Sequence, residues 1–122
     1  MLWLTKIKLK TKKINKMTPQ EILEVEKNII YTLKNIYDPE IPVNIYDLGL
    51  IYDVEYTPER IAMIRMTLTA PNCPMADMLL QQVNEDTAKV EGVDSVEVTL
   101  TFDPPWDREM MSEEAQLEMG LL

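Results

Sequence analysis

The stretch LIYDVEYTPERIAMIRMTL, residues 50–68, decides the fold. It holds two runs rich in β-branched, aromatic and other apolar residues, broken by Thr57-Pro58-Glu59-Arg60. Such runs favour extended backbone, and a proline-containing turn between them leaves room only for a tight reversal. The pattern predicts a strand from Leu50 to Tyr56 and a second from Ile61 to Leu68, paired antiparallel as a hairpin.

Downstream, Thr69 to Pro74 reads as a loop with two prolines and the single cysteine, Cys73. A helix is expected from about Met75 to Val90, with Met75, Met78, Leu79 and Val83 on its inner face and Glu91-Gly92 ending it. Val96, Val98, Leu100 and Phe102 then alternate with Glu97, Thr99 and Thr101, the signature of a half-buried strand. Asp103-Pro104-Pro105-Trp106 stops that strand, and Ser112 to Met119 is expected to form a short helix. Upstream, Thr18-Pro19-Gln20-Glu21 combines a capping threonine, a proline suited to the first helical position and a glutamate that completes a capping box. Ile22, Val25, Ile29, Leu33 and Ile36 follow at helical spacing, and the helix is expected to stop near Tyr37, before the Asp38-Pro39 step. Asp38 to Asn44 reads as an acidic loop held by two prolines, and Asp47-Leu48-Gly49 as a turn.

The order helix, strand, strand, helix, strand gives an α/β fold of the α+β kind. The second helix must join parallel strands by a crossover, so the expectation is a small mixed three-stranded sheet with both helices on one face. A single domain is expected over 17–122, with 1–16 a lysine-rich arm read as an extended start or a disordered tail.

Composition narrows the function. The chain has 122 residues, enough for one core. Lys6, Lys8, Lys10, Lys12, Lys13 and Lys16 precede Met17, whereas all 21 acidic residues follow it, leaving 6 basic residues against 21 and a balance of −15 from Met17 onward. So acidic a body repels phosphate backbones, which argues against nucleic acid. No apolar run approaches the ~20 residues of a membrane span, and the lysines follow Met1-Leu2-Trp3-Leu4 in the wrong order for a signal peptide. A lone cysteine makes no internal disulfide, so the expected setting is the reducing cytoplasm.

Cys73, in Ala70-Pro71-Asn72-Cys73-Pro74 directly before a helix, is the first candidate for chemistry. The amides and dipole of a helix start favour a thiolate, the form that binds iron or takes part in sulfur transfer, although Pro74 removes one donor. A free cysteine is also commonly a small buried apolar residue, and position alone leaves both readings open. Asp38, Glu40 and Asp47 offer hard oxygen ligands, with a local turn-capping role as the rival reading. Thr69 and Asn72 have the groups to position a ligand near Cys73, or to cap the loop. With no histidine, Cys–His pairs, Ser–His–Asp triads and ordinary zinc enzyme sites are excluded, and three scattered glycines form no phosphate loop. One cysteine cannot hold a cluster that takes about four thiolates. A homodimer, a partner or small thiols would have to complete the ligands. Trp106 reads as packed over a strand end, or as an anchor for a partner.

Three segments together resemble the SufT/PaaD-like family of iron–sulfur cluster assembly proteins. These are Asp38-Pro39-Glu40-Ile41-Pro42-Val43-Asn44-Ile45-Tyr46-Asp47-Leu48-Gly49-Leu50-Ile51, then Met66-Thr67-Leu68-Thr69-Ala70-Pro71-Asn72-Cys73-Pro74, and Thr101-Phe102-Asp103-Pro104-Pro105-Trp106 followed by Met110-Met111-Ser112-Glu113-Glu114-Ala115. The likeness runs from about Met17 to Leu121. It implies a role in iron–sulfur protein maturation, iron or a transient cluster as the thing handled, and the assembly machinery and apo-proteins as partners. It also implies a site of Asp38, Glu40, Thr69 and Cys73. The family's phenylacetate-pathway branch carries extra cysteines in a C-terminal extension, and this chain has none. The rival readings are a protein–protein adaptor without metal chemistry, and a small thiol enzyme that would lack a general base of suitable pKa. No catalytic residue is assigned.

Overall fold

The structure is a computed structural model that describes residues 17–38, 41–69 and 76–120. Helix α1 spans Pro19–Leu33 and starts where the sequence demands: Thr18, in extended backbone, accepts a hydrogen bond from the Glu21 amide at 3.1 Å, and proline occupies the first helical position. Its buried face is Val25, Ile29 and Leu33. The helix stops four residues short of Tyr37. The Asn35 side chain takes the Tyr31 carbonyl at 2.8 Å, and the amides of Asn35 and Ile36 bond only three residues back, to Thr32 and Leu33. The apolar spacing therefore outlives the helix. Ile36 is fully buried, but at the end of a turn.

Strands β1 (Ile51–Tyr56) and β2 (Ile61–Met66) form the expected antiparallel hairpin, and β3 (Ser95–Leu100) pairs parallel to β2, giving the order β1-β2-β3. Arg60 takes the left-handed conformation, φ 66°, in the hairpin turn. Val54, Ile64 and Val98 lie in register across the sheet, as do Tyr56, Ala62 and Val96. Because side chains alternate, these rows share one face, and α1 and α2 (Ala76–Ala88) pack on it. Asp53, Arg65 and Thr99 are in register on the other face, as are Glu55, Met63 and Glu97.

Two expectations need correction. Met78 is 62% exposed, because the buried face of α2 is Leu79, Val83 and Thr87, and at about 100° per residue position 78 falls on the opposite side. Met75 lies outside the described residues. In β3 only Val96 and Val98 are half-buried, while Leu100 and Phe102 are each 38% exposed, since β3 is an edge strand whose far side no element among the described residues covers. A 3-10 turn (Arg108–Met110) and the short helix α3 (Glu113–Glu118), capped by Ser112, complete the fold.

Candidate functional site

The loop from Ile36 to Leu50 is acidic in sequence but anchored by apolar side chains. Ile36, Ile45, Leu48 and Leu50 are wholly buried and Val43 nearly so. Tyr37 and Asn44 form an isolated antiparallel bridge, the Ile45 amide donates to the Ile36 carbonyl at 2.8 Å, and the Asp38 amide donates to the Val43 carbonyl at 3.2 Å. The flanks of this loop, 36–38 and 41–50, are thus tied to each other by their own backbone hydrogen bonds. Asp38 is buried at its base, with Oδ1 accepting from the Ile41 amide at 2.9 Å. Asp47 is clasped to Asn44: the Asp47 amide donates to Asn44 Oδ1 and Asn44 Nδ2 donates to Asp47 Oδ2, both at 2.8 Å. This is the turn-forming use of an Asx pair, which fixes backbone direction without distant partners.

The closing segment of the chain wraps this loop. Trp106 Nε1 donates to the Leu48 carbonyl at 2.7 Å, and the Ser112 amide donates to the Asp47 carbonyl at 2.8 Å. Gly49, at φ 84°, packs so tightly under the 3-10 turn that an added Cβ would lie 2.5 Å from the Met110 carbonyl oxygen. Glycine is required there on two counts, the left-handed backbone and the space. Tyr52 is the extra residue of a bulge between Ile51 and Asp53, and bulges re-aim side chains. Its hydroxyl donates to the Pro104 carbonyl at 2.7 Å, while its ring lies 5.7 Å from the Arg65 guanidinium.

The middle segment joins the same end of the sheet. The Thr67 amide donates to the Leu50 carbonyl at 2.8 Å, and the Thr101 amide to the Met66 carbonyl at 2.9 Å. Thr69, half-buried, lies just beyond the end of β2. Since α2 returns the chain from the end of β2 to the start of the parallel strand β3, its first residue, Ala76, is at this end as well. Three segments distant in sequence therefore meet: the loop bearing Asp38 and Asp47, the flanks of the 70–75 segment, and Thr101 to Ser112. Cys73, Asn72 and Glu40 lie outside the described residues, as does the arm 1–16. Among the described residues no three His, Cys, Asp or Glu side chains are grouped to hold a metal, and no helix is long and apolar enough to cross a membrane.

Sequence reasoning missed a groove beside the acidic loop, lined by Ile41, Trp106, Arg108, Met111 and Met119. The methionines of the tail carried the signal, but only the folding of the tail onto the loop reveals it. Perturbed titration is found at the other end of the sheet. Burial pushes the Tyr56 phenol up, the nearby Arg60 charge opposes this and Asp94 adds to it.

Known proteins share this architecture. The chain is 51% identical over 102 residues to a "Fe-S protein maturation auxiliary factor" of Porphyromonas gingivalis, covering 84% of this chain and 97% of that protein. It is 36% identical over 97 residues to the "Fe-S protein maturation auxiliary factor YitW" of Bacillus subtilis, covering 80% and 95%. It is also 35% identical over 86 residues to the "Fe-S protein maturation auxiliary factor SufT" of Staphylococcus aureus, covering 70% and 98%. A crystal structure of a domain of unknown function from Bacillus anthracis superposes with a TM-score of 0.79 at 33% identity, over 86% of this chain and all of that one. A conserved hypothetical protein from Thermotoga maritima does so at 0.69 and 41% identity, over 78% and 93%. Residues 26–100 match the family described as "Iron-sulfur cluster assembly protein", and the chain belongs to that family.

Proposed function

We propose that this protein is an accessory factor in iron–sulfur cluster assembly or delivery, acting in the cytoplasm through binding to the assembly machinery and to apo-proteins. The observation that carries the reading is the meeting of the three family-like segments at one end of the sheet, in a chain whose relatives are named as iron–sulfur maturation factors. Cys73 lies in sequence between Thr69 and Ala76, both at that end, three positions ahead of the first residue of a 13-residue helix. A helix start favours the thiolate, and a thiolate donates its lone pair to iron. Iron, or a transient cluster, is the cargo. Cys73 supplies one ligand, Thr69 and Asn72 serve as polar groups that position the cargo, and Asp38 and Glu40 serve as oxygen donors or as contacts for basic partner side chains. The remaining thiolates come from a partner, a second copy or small thiols, which makes binding transient by construction.

Asp38 and Asp47 each have the amide and one carboxylate oxygen in local use, Asp38 with Val43 and Ile41 and Asp47 with Asn44. The groove of Ile41, Trp106, Arg108, Met111 and Met119 favours a second component of the same function, partner docking beside the site. Complementation separates the two. In a strain lacking the native gene, wild-type protein is expected to restore the activity of a cluster-dependent enzyme and Cys73→Ala to leave it impaired. Full restoration by Cys73→Ala would reassign the protein to a pure adaptor.

A further inference from the structure

Among the described residues, β3 ends the sheet with an open edge. The amides of Ser95 and Thr101 point inward, to the carbonyls of Arg60 and Met66. Backbone direction alternates along a strand, so the amides of Val96, Val98 and Leu100 point out of the free edge. Beside that edge a groove runs between β3 and α2, lined by Leu80, Gln81, Asn84, Glu85 and Val98. Leu80 and Val98 in this groove are only half-covered, as is Val96 on the same face of β3, and Leu100 is exposed. An open edge above a half-covered apolar row is the geometry that accepts one more strand.

The charge around the edge selects the occupant. Glu97 stands on the outer face of β3, and the body from Met17 onward carries a balance of −15. A second copy would bring the same acids to the same edge and be repelled. The suitable strand is apolar on one face and basic on the other. Lys6-Ile7-Lys8-Leu9-Lys10-Thr11-Lys12 alternates in that way: lysine at every even position, Ile7, Leu9 and Thr11 between them. The anchor of this arm is also in the right place. The Tyr56 hydroxyl contacts both Met17 and the Gly92 carbonyl, and Gly92 precedes β3 by three residues. Residues 13–16 can span at most about 14 Å, and from Met17, which shares the Tyr56 hydroxyl with Gly92 at the entry to β3, the new strand lies one spacing of about 4.8 Å beyond β3.

We propose that the free edge of β3 is the docking edge for the protein's own arm, residues 6–12, as a fourth, antiparallel strand. Ile7 and Leu9 would cover the Val96–Val98 row, and the lysines would face Glu97. The edge of β1 is the poorer choice, because it is interrupted by the bulge at Tyr52 and an arm entering from Met17 would have to run parallel to it. The inference does not depend on the reading of Cys73.

Hydrogen exchange on the full chain tests it, amide by amide. At low salt the amides of Val96, Val98 and Leu100 are expected to exchange at least about tenfold more slowly than in Ile7→Asp/Leu9→Asp, and in Lys6→Glu/Lys8→Glu/Lys10→Glu. The inward amides of Glu97 and Thr99 should be equally protected in all three, showing that the sheet is intact. Raising the salt should narrow the difference for the wild-type chain. Equal, fast exchange of the three outward amides in wild type and variants would overturn the proposal. So would protection that grows with protein concentration, which would put a second copy on the edge.

Discussion

Gly49→Ala is the sharpest test of how the site is held together. The residue sits at φ 84°, where a side chain costs about 1–2 kcal/mol of backbone strain. The new Cβ would lie 2.5 Å from the Met110 carbonyl oxygen, 2.8 Å from its carbon and 2.9 Å from its Cβ. Two of these are backbone atoms, so no side chain can simply swing aside. The 3-10 turn must lift, straining the Trp106–Leu48 and Ser112–Asp47 hydrogen bonds on either side of it, at an overpacking cost of about 1–3 kcal/mol. Together the loss is about 2–5 kcal/mol, or a fall in Tm of about 8–20 °C for a chain of this size. Two other glycines serve as internal standards. Gly120, φ 73°, has nothing within 4 Å of an added Cβ, so Gly120→Ala isolates the backbone term. Gly92, φ 96°, meets the Val25 Cγ2 methyl at 3.0 Å and the Tyr56 hydroxyl at 3.5 Å, side-chain atoms that can yield, and should fall between. Thermal unfolding followed by circular dichroism should rank the losses Gly49, Gly92, Gly120. A Gly49→Ala shift no larger than that of Gly120→Ala would refute the seating of the closing segment on the loop.

Two further outcomes concern the frame. Thr87 is fully buried on α2 with its hydroxyl unpartnered, so Thr87→Val, which keeps the shape and removes the polar atom, should stabilise the protein by about 1 kcal/mol in urea unfolding. A loss of that size would show that the hydroxyl is bonded. Tyr56→Phe removes the hydrogen bond to the Gly92 carbonyl and should cost about 1 kcal/mol at neutral pH. Because burial raises the folded-state phenol pKa, the unfolded phenol ionises first, and this residue's contribution falls as pH rises above about 10. The gap between wild type and Tyr56→Phe should therefore narrow in urea titrations above that pH, and a constant gap would contradict the raised pKa.

Much of the frame was legible because it is written in local periodicity. Alternation over 50–68 and 95–100 and the Thr18 cap depend on neighbours within a few residues, and these elements appear where expected. The errors arise where tertiary context decides. Ile36 keeps the helical spacing of Leu33 but reaches the core from a turn, so periodicity alone overran the helix end. Leu100 belongs to a strand pattern, but its exposure depends on β3 being the edge. At the site, sequence marked Asp38, Asp47, Thr69 and Trp106, yet it could not tell their partners. Trp106 bonds a carbonyl 58 positions away, and the Asn44–Asp47 clasp competes with any ligand role in a way that only geometry reveals.

The central claim is that Cys73 contacts the iron of a cluster in transit, and anaerobic iron–sulfur reconstitution tests it most directly. The purified wild-type chain and Cys73→Ala would be compared by iron content and by thiolate-to-iron charge-transfer absorption. The account predicts iron and sulfide uptake by the wild type that is lost in Cys73→Ala. Equal uptake by both proteins, or none by either, would contradict it.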